Sequence, residues 1–360
     1  MTNLILVINP GSTSTKLALF DGEKERVSES LEHSADELKQ FKEINDQYDF
    51  RLEAVMKFLR SNNVKPEDLD GIASRGAAIA ALEPGAYVID DHFAQLAKEA
   101  INPHPANLAI MIANSFKNKY GIPAYAYDIV SGTGKPDEVF TLSGLPEIKR
   151  PFLTHVLNSR AAAFEQAKRD KTSIYENTYI VCHLGGGCTT NLIVNGKIQD
   201  ICGDDENGFS PERAGGVPTR ILVRLCYSGK YTQKEMQKKL KGQGGLVGYL
   251  GTSDMREVKK MIEAGDVKAK TVFDAMVIQL AKDIGSLATV VNGKVDKIIL
   301  TGGVAFNSIF TDAVKEKVQF LAPVAVIPGA FEMEALAKGI NRVLEGSEEA
   351  QRYEGGPLTD

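Results

Sequence analysis

The chain has 360 residues, 43% of them hydrophobic and 25% charged, and a formal net charge of -5. That length and apolar content suffice for a packed core and fit two domains better than one. The acidic balance argues against a general binder of nucleic acid or anionic membrane, which needs a basic face, but allows an anion in a local basic pocket.

In chain order, LILVINPGSTSTKLALFDG (residues 4–22) reads as an apolar strand, a turn of small and hydroxyl residues, a second strand and a tight turn. KERVSESL continues as a third strand. The apolar run is too short for a signal peptide and lacks a positively charged leader. No stretch offers the roughly 18 apolar residues of a membrane span, so a cytoplasmic protein is expected. The spacing of apolar residues predicts helices over 37–60 and 92–117, with strands near 71–74 and 123–128. Prolines 136, 146 and 151 with glycines 132, 134 and 144 mark residues 135–151 as a loop or crossover. Helices are predicted at 154–168, 219–227, 254–264 and 268–291. DKIILTGGVAFNS then reads as strand, glycine turn and helix start, and VAVIPGAFEMEALAKGINRVL as strand, loop and long helix. The tail from Gly346 is acidic and weakly patterned. Cys182, Cys188, Cys202 and Cys226 form no CxxC and are expected to be free thiols. His33 and His92 sit in charged surroundings and are expected at the surface.

The opening stretch repeats. Shifted by 174 positions, residues 4–22 lie over TYIVCHLGGGCTTNLIVNG, so Gly11 falls on Gly185, Thr15 on Thr189 and Gly22 on Gly196. Asp21-Gly22 and Asn195-Gly196 then occupy one place, and both dipeptides are strong hairpin signals. The pair is either two unrelated hairpins with common turn chemistry or a duplicated domain. In the second case each half opens with a turn built to hold a ligand. Glycine lets the backbone approach closely, hydroxyls add donors, and successive N–H groups form an anion nest.

Two familiar phosphate sites are not supported. The string nearest to GxxxxGK[ST], SGTGKPDE, has Pro136 in place of Ser or Thr and lacks the first glycine. No GxGxxG leads from a strand into a helix. What remains is two glycine-hydroxyl hairpins and a third strand–Gly-Gly–helix element at 301–307, whose backbone N–H groups could meet a phosphate or the nucleoside.

NxGSxSxK between strands, HLGGG, SPERAGG, GTSDMRE, TGGVAFN and PGxxEMxAL occur in this order over nearly the whole chain. Together they resemble the acetate kinase family. HPANLAIMIA, SGLPEI and SPERAGG are similar to its butyrate and branched-chain fatty acid kinase branch. The resemblance implies an α/β fold of two duplicated actin-like (ribonuclease H-like) domains, with mixed sheets flanked by helices and an ATP cleft between them. The expected domains are 1–152 and 153–339, with the helix and tail from about 340 to 360 packing back on the first. The implied reaction passes a phosphoryl group from ATP, with Mg²⁺, to a short-chain carboxylate such as butyrate or isobutyrate. Propionate, acetate or a branched-chain acid is the alternative within the family. Outside it stands an actin-like nucleotide switch without phosphotransfer, which would not need Arg75, Arg213 and His155 together. A homodimer or larger assembly is implied, with no nucleic-acid or membrane partner.

The same resemblance assigns residues one by one. Asn9 stands near the transferred phosphoryl group, with Ser12, Ser14 and Lys16 around it. Arg75 meets the substrate carboxylate, or else forms a surface salt bridge. Arg213 is the second arginine, bracing the phosphoryl oxygens. His104 lies beside the substrate or else caps a helix. His155 donates to the phosphoryl oxygens or is structural, and His183 faces the phosphates. Asp128 orients an arginine or the magnesium shell. Glu332 is the magnesium-associated glutamate, with Glu334 as its rival. Gly185, Gly186 and Gly187 wrap the β- and γ-phosphates. Asp254, Met255 and Arg256 line the adenosine pocket, Asp254 also being a candidate N-cap. Gly302, Gly303 and Asn307 form the third nucleotide element. The chain departs from the family pattern at Cys188-Thr189 and at Asn207-Gly208, both near the expected phosphates, and Cys188 is expected to make the site sensitive to oxidation.

Overall fold

The structure is a computed structural model and describes residues 2–101 and 103–357. By contacts the chain divides into two compact units, one running through Lys135 and resuming at Phe331, the other Pro136–Ala330. This division falls ahead of the one drawn from sequence after Phe152. Arg150 ties the intervening loop to the second unit, bonding the Glu206 carboxylate at 2.8 and 2.9 Å and the Ile201 carbonyl at 2.8 Å.

The first unit holds strands β1 (Leu4–Pro10), β2 (Ser14–Asp21), β3 (Lys24–Glu32), β4 (Gly71–Ser74), β5 (Ala86–Val88) and β6 (Ala124–Tyr127). Their order is β3-β2-β1-β4-β6-β5, with β1, β4 and β6 parallel and the others antiparallel to their neighbours. The second unit holds β7 (Thr178–Leu184), β8 (Cys188–Val194), β9 (Lys197–Cys202), β10 (Lys297–Gly302) and β11 (Val324–Pro328), ordered β11-β10-β7-β8-β9. The sheets are mixed, and helices pack on them. In β1 the side chains of Ile5, Leu6, Val7 and Ile8 are all fully buried. A strand covered on both faces must be apolar at every position, which is why LILVI does not alternate. β7 is buried in the same way through Tyr179, Ile180, Val181 and Cys182.

Both halves therefore contain the predicted meander, in the second after the helix Val156–Asp170, but the repeat slips by one residue at the first turn. Strand β7 follows β1 at the shift of 174. The β-bulge between Leu19 and Phe20, however, recurs between Leu192 and Ile193, a shift of 173. The tips explain the slip. The Gly11 N–H donates to Ser14 O across two residues, whereas Gly185 N–H donates to Gly187 O across one. The later turns accordingly differ from the sequence alignment. The first is centred on Gly22-Glu23, where only Gly22 has positive φ (+59°). The second is centred on Asn195-Gly196, with φ of +48° and +79°. A turn with two positive φ values favours Asn-Gly; a turn with one needs a single glycine.

Two predicted helices are broken. In place of one helix over 37–60 there are Ala35–Lys39 and Tyr48–Ser61, with a 3₁₀ turn, Ile44–Gln47, between them. Each start has its own acceptor for a loose backbone N–H: Glu37 for Ser34 and Asp46 for Glu43. In place of one helix over 92–117 there are Asp91–Lys98 and Ala106–Tyr120, because Pro103 and Pro105 lack the N–H a continuous helix would need. Short helices at Gln233–Leu240 and Gly245–Leu250, and strand β5, were not foreseen. The C-terminal helix Glu332–Leu344 lies in the first unit. Its Arg342 Nη2 donates to Tyr127 OH at 2.5 Å and its Nε to Glu348 at 2.9 Å, while Gln351 N–H pairs with Ala86 O at 2.9 Å. Among the described residues, no helix is long and apolar enough to cross a membrane.

Gly302 ends β10 with φ of +93°, and a Cβ there would sit 2.3 Å from the Leu184 carbonyl oxygen. Gly302→Ala should destabilise the fold by about 1–3 kcal/mol, read from the urea midpoint. A Cβ on Gly303 would meet no atom within 4 Å. Gly303→Ala should therefore stay within about 0.5 kcal/mol of wild type.

Candidate active site

In the first unit, parallel strand ends gather four of the predicted residues. Asn9, at the end of β1, is buried, and its Nδ2 donates to Glu332 Oε2 at 2.9 Å. Arg75 follows β4 and is anchored by its backbone N–H on Ile8 O at 3.0 Å. Its side chain is 12% exposed, and one guanidinium nitrogen lies 4.0 Å from Glu332 Oε1. The other, Nη1, is buried with no hydrogen-bond partner among the described residues. Burial pulls the guanidinium pKa down, while the charges of Glu332 and Asp128 pull it back up. Asp128 is itself buried at the end of β6, where its Oδ1 accepts from Gly85 N–H at 2.8 Å. Glu332, rather than Glu334 in the same helical turn, meets Asn9 and Arg75.

The other first-unit candidates lie differently. Lys16 pairs with Asn9 across the β1–β2 ladder and is exposed, as is Ser12, while Ser14 is half-buried. His104 is exposed, and its Nδ1 accepts from Ala106 N–H at 3.1 Å, the helix-start contact that was one of its two readings. The tip rests on residues that the sequence did not single out. Arg51 is fully buried beneath it and donates to Gly11 O, Ser14 O and Thr15 Oγ1 at 3.0, 2.6 and 2.7 Å. His33, expected at the surface, is buried at 8% exposure, with Nε2 2.8 Å from Thr15 Oγ1 and its ring edge-on to Phe50. It lies inside because the end of β3 returns over the tip, with His33 N–H bonded to Thr13 O at 2.7 Å. His92 is exposed, as expected.

In the second unit, His183 ends β7 and stands opposite Thr189 on β8. The His155 ring stacks on it with centroids 4.4 Å apart, and His155 Nδ1 is 3.0 Å from Thr189 Oγ1. The tip Gly185–Gly187 is held from outside: Gly186 O accepts from Glu212 N–H at 2.8 Å and from Ser210 Oγ at 2.7 Å. The absence of side chains lets two carboxylates close on the tip: a Cβ on Gly186 would lie 2.8 Å from the Glu212 carboxylate, and one on Gly187 2.9 Å from Asp204. Arg213 lies between those carboxylates, 3.8 Å from Asp204 and 3.5 Å from Glu212.

A cavity of about 830 Å³ opens from this tip within the second unit. Its lining joins Gly185, Gly186, Asp254, Met255, Arg256, Gly303 and Asn307. Gly187 and Gly302 do not line it; Gly302 instead serves the close approach of β10 to β7. Asp254 caps the helix Met255–Glu263, accepting from Arg256 N–H at 2.8 Å. The Arg256 guanidinium holds the Asp254 carboxyl down to about 2. Asn307 caps Ser308–Val318 and donates to Met255 O at 3.2 Å, joining two walls of the cavity. Glu212 and the exposed Phe306 also line it and were missed; SPERAGG placed Glu212 next to a predicted residue.

The two departures from the family pattern are structural ties. Asn207 is buried, and its Nδ2 reaches Cys188 O at 2.5 Å. Gly208 N–H donates to Asp283 at 2.8 Å and Phe209 N–H to Gln279 at 3.1 Å. A side chain at 208 would strike Gln279, 2.5 Å away. The expected redox sensitivity of Cys188 is not supported: it is buried, and burial pushes its thiol up to about 12, which keeps it protonated and unreactive.

Among the described residues no three His, Cys, Asp or Glu side chains form a metal cage. Glu332 and Asp128 are instead two carboxylates, hard oxygen donors, whose charges both act on Arg75. Such a set fits Mg²⁺, which takes one or two carboxylates and completes its shell with phosphate oxygens and waters.

Two α/β units, each containing the same meander and each carrying candidate residues at its strand ends, are consistent with duplicated actin-like domains. The sequence profile of the acetokinase family matches residues 161–326. Butyrate kinase 2 of Clostridium acetobutylicum is 43% identical over 352 residues, 97% of this chain and 99% of that protein. Probable butyrate kinase 2 of Caldanaerobacter subterraneus subsp. tengcongensis is 44% identical over 351 residues, with 97% and 99% covered. Among solved structures, Porphyromonas gingivalis acetate kinase has a TM-score of 0.78 at 18% identity, covering 95% of this chain and all of that one. A propionate kinase from Francisella tularensis has a TM-score of 0.74 at 20% identity, covering 94% and 98%. The two structures speak for the fold. Given the near-full-length relatives, this chain belongs to the acetokinase family.

Two outcomes follow from these surroundings. An alkylating reagent at neutral pH should modify exposed Cys226 in the native protein and reach Cys182 and Cys188 only after unfolding, as read by peptide mapping. The His33 pKa is held below its ordinary 6.5, by burial first and the Arg51 charge second, against weaker opposition from Glu37 and Glu32. Its neutral form is therefore the stable one. The contribution is present above about pH 6.5 and is lost as pH falls through the lowered value, because the unfolded chain then binds the extra proton. Over that range the melting temperature of wild type should fall more steeply than that of His33→Gln.

Proposed function

We propose that this chain is a butyrate kinase-like phosphotransferase, catalysing reversible transfer of the γ-phosphoryl group of ATP to a short-chain carboxylate to give ADP and an acyl phosphate. The observation that carries this reading is Arg75. It is a nearly buried guanidinium beside Asn9, flanked by Glu332 and Asp128, with Nη1 left without an acceptor among the described residues. A buried donor left unmade is costly, and a substrate carboxylate is the acceptor that matches a guanidinium in charge and shape. The full-length likeness to proteins named butyrate kinases supports butyrate, with isobutyrate and other near homologues as competitors.

A carboxylic acid is already ionised at neutral pH, so its oxygen attacks without a general base. The chemistry asks for positioning and for cationic or N–H groups around the charge that spreads over the phosphoryl oxygens. Arg75 orients the acid. Asn9, with Ser12, Ser14 and Lys16, meets the phosphoryl group from the first tip. Arg213 and His155 donate to phosphoryl oxygens, while His183 and Gly185–Gly187 receive the β- and γ-phosphates. Asp254, Met255, Arg256, Gly303 and Asn307 hold the adenosine in the cavity. His104 borders the acid while capping its helix. Glu332 and Asp128 would hold magnesium, which when bound with the nucleotide neutralises phosphate charge. A cytosolic homodimer or larger assembly belongs to the same reading.

A hydroxamate assay with Mg-ATP across acetate, propionate, butyrate, isobutyrate and isovalerate tests this. Butyrate or isobutyrate should give the highest kcat/KM. Arg75→Gln should lower it by a factor of about 10²–10³, the usual loss for one preorganised donor to developing charge. Absence of acyl phosphate with every acid, or full activity in Arg75→Gln, would refute the assignment.

A further inference from the structure

Arg51 sits on the helix Tyr48–Ser61 in line with Val55 and Phe58, on its buried face. It is fully buried, and all five of its N–H bonds are used. Nη1 donates to Ser14 O and Thr15 Oγ1, Nη2 to Gly11 O and Gln47 Oε1, and Nε to Gln47 Oε1 at 3.3 Å. Every one of these acceptors is neutral. Among the described residues no carboxylate lies within ion-pair distance of it, and burial alone lowers its pKa, to about 10, so it stays cationic at neutral pH. Hydrogen bonding is therefore complete while charge is not. A buried cation without a counter-ion is expensive, and a fold that needed only a brace for the hairpin would place a carboxylate beside it. The place where a carboxylate would do this is filled by an amide: Gln47 Oε1 takes two of the guanidinium hydrogens, at 3.0 and 3.3 Å.

We propose that Arg51 is a positioning residue whose charge is left uncompensated within the protein because its counter-ion is the phosphate chain of the nucleotide at the Gly11–Ser14 tip. The inference rests on the reading that this tip receives nucleotide phosphates. Arg51 acts without touching the ligand. By drawing the Gly11 and Ser14 carbonyls onto itself it fixes the turn, with Ser12 and Thr13 exposed at the apex. Its charge is held in the buried interior beneath that exposed apex, where water screens it less than it would a surface charge, and it raises the potential at the apex.

Gln47→Glu separates this from a purely structural role. The substitution keeps the size and both hydrogen bonds and supplies the missing carboxylate. The melting temperature should hold or rise, while the affinity for Mg-ATP, measured by calorimetric titration of the full chain, should fall about tenfold. KM for Mg-ATP should rise in parallel, and KM for butyrate should stay within about twofold. Arg51→Lys, which keeps the charge but not the fork, should bind Mg-ATP more tightly than Arg51→Gln. This comparison decides the matter if Gln47→Glu does not fold. Unchanged Mg-ATP affinity in a Gln47→Glu protein of equal or higher stability overturns the inference, as does equal affinity of the two Arg51 variants. The binding arm is independent of turnover. A wild type that binds Mg-ATP but phosphorylates no acid defeats the functional reading while the Gln47→Glu comparison still judges Arg51; a wild type that binds no nucleotide defeats both.

Discussion

Burial of β1 and β7 on both faces is the constraint on which the rest depends. A strand sealed in this way has no room for polar side chains until it ends, so chemistry is pushed to the strand ends. In the first unit that places Asn9 at the end of β1, Arg75 just beyond β4 and Asp128 at the end of β6, on neighbouring parallel strands. In the second it places His183 at the end of β7, next to Thr301 near the end of β10. Ligand sites at the carboxyl ends of parallel strands are the general habit of open α/β sheets.

The two opening hairpins share a plan but have diverged electrostatically. The first has a hydroxyl-rich tip seated over a buried cation. The second is a residue shorter, is all glycine, and has Asp204 and Glu212 against it with Arg213 between them. On the proposed reading, a polyanion meets a ready positive field at the first tip. At the second it depends on backbone N–H groups and on Arg213, whose present partners are those carboxylates. Duplication thus supplied the geometry twice, while the substituted residues behind each tip set its charge.

Much of this was legible in the sequence because it rests on local rules. An unbroken apolar run bounded by turn residues announced β1 and β7, and glycine spacing announced the turns. The second-unit cavity was legible as a set of motifs, and the structure gathers most of them in one place. Less visible were features decided by tertiary contact. The break in the 37–60 helix depends on side-chain acceptors for backbone N–H groups, and the one-residue slip of the repeat depends on how many residues each first tip closes over. Arg51 had a usable signal, a charged residue at helical spacing with Val55 and Phe58, but its acceptors on Gly11, Ser14 and Thr15 lie far away along the chain. His33 misled because local charge density says nothing about where the end of a strand folds back.

The central claim is that cationic and N–H groups hold two anions in line, so that the acid oxygen attacks phosphorus directly with no side chain taking the phosphoryl group on the way. The configuration at phosphorus tests this most directly, using ATP made chiral with oxygen isotopes at the γ-position and analysing the acyl phosphate. A single in-line displacement predicts inversion. Retention would contradict the account, since it requires two displacements and a phosphorylated residue between them.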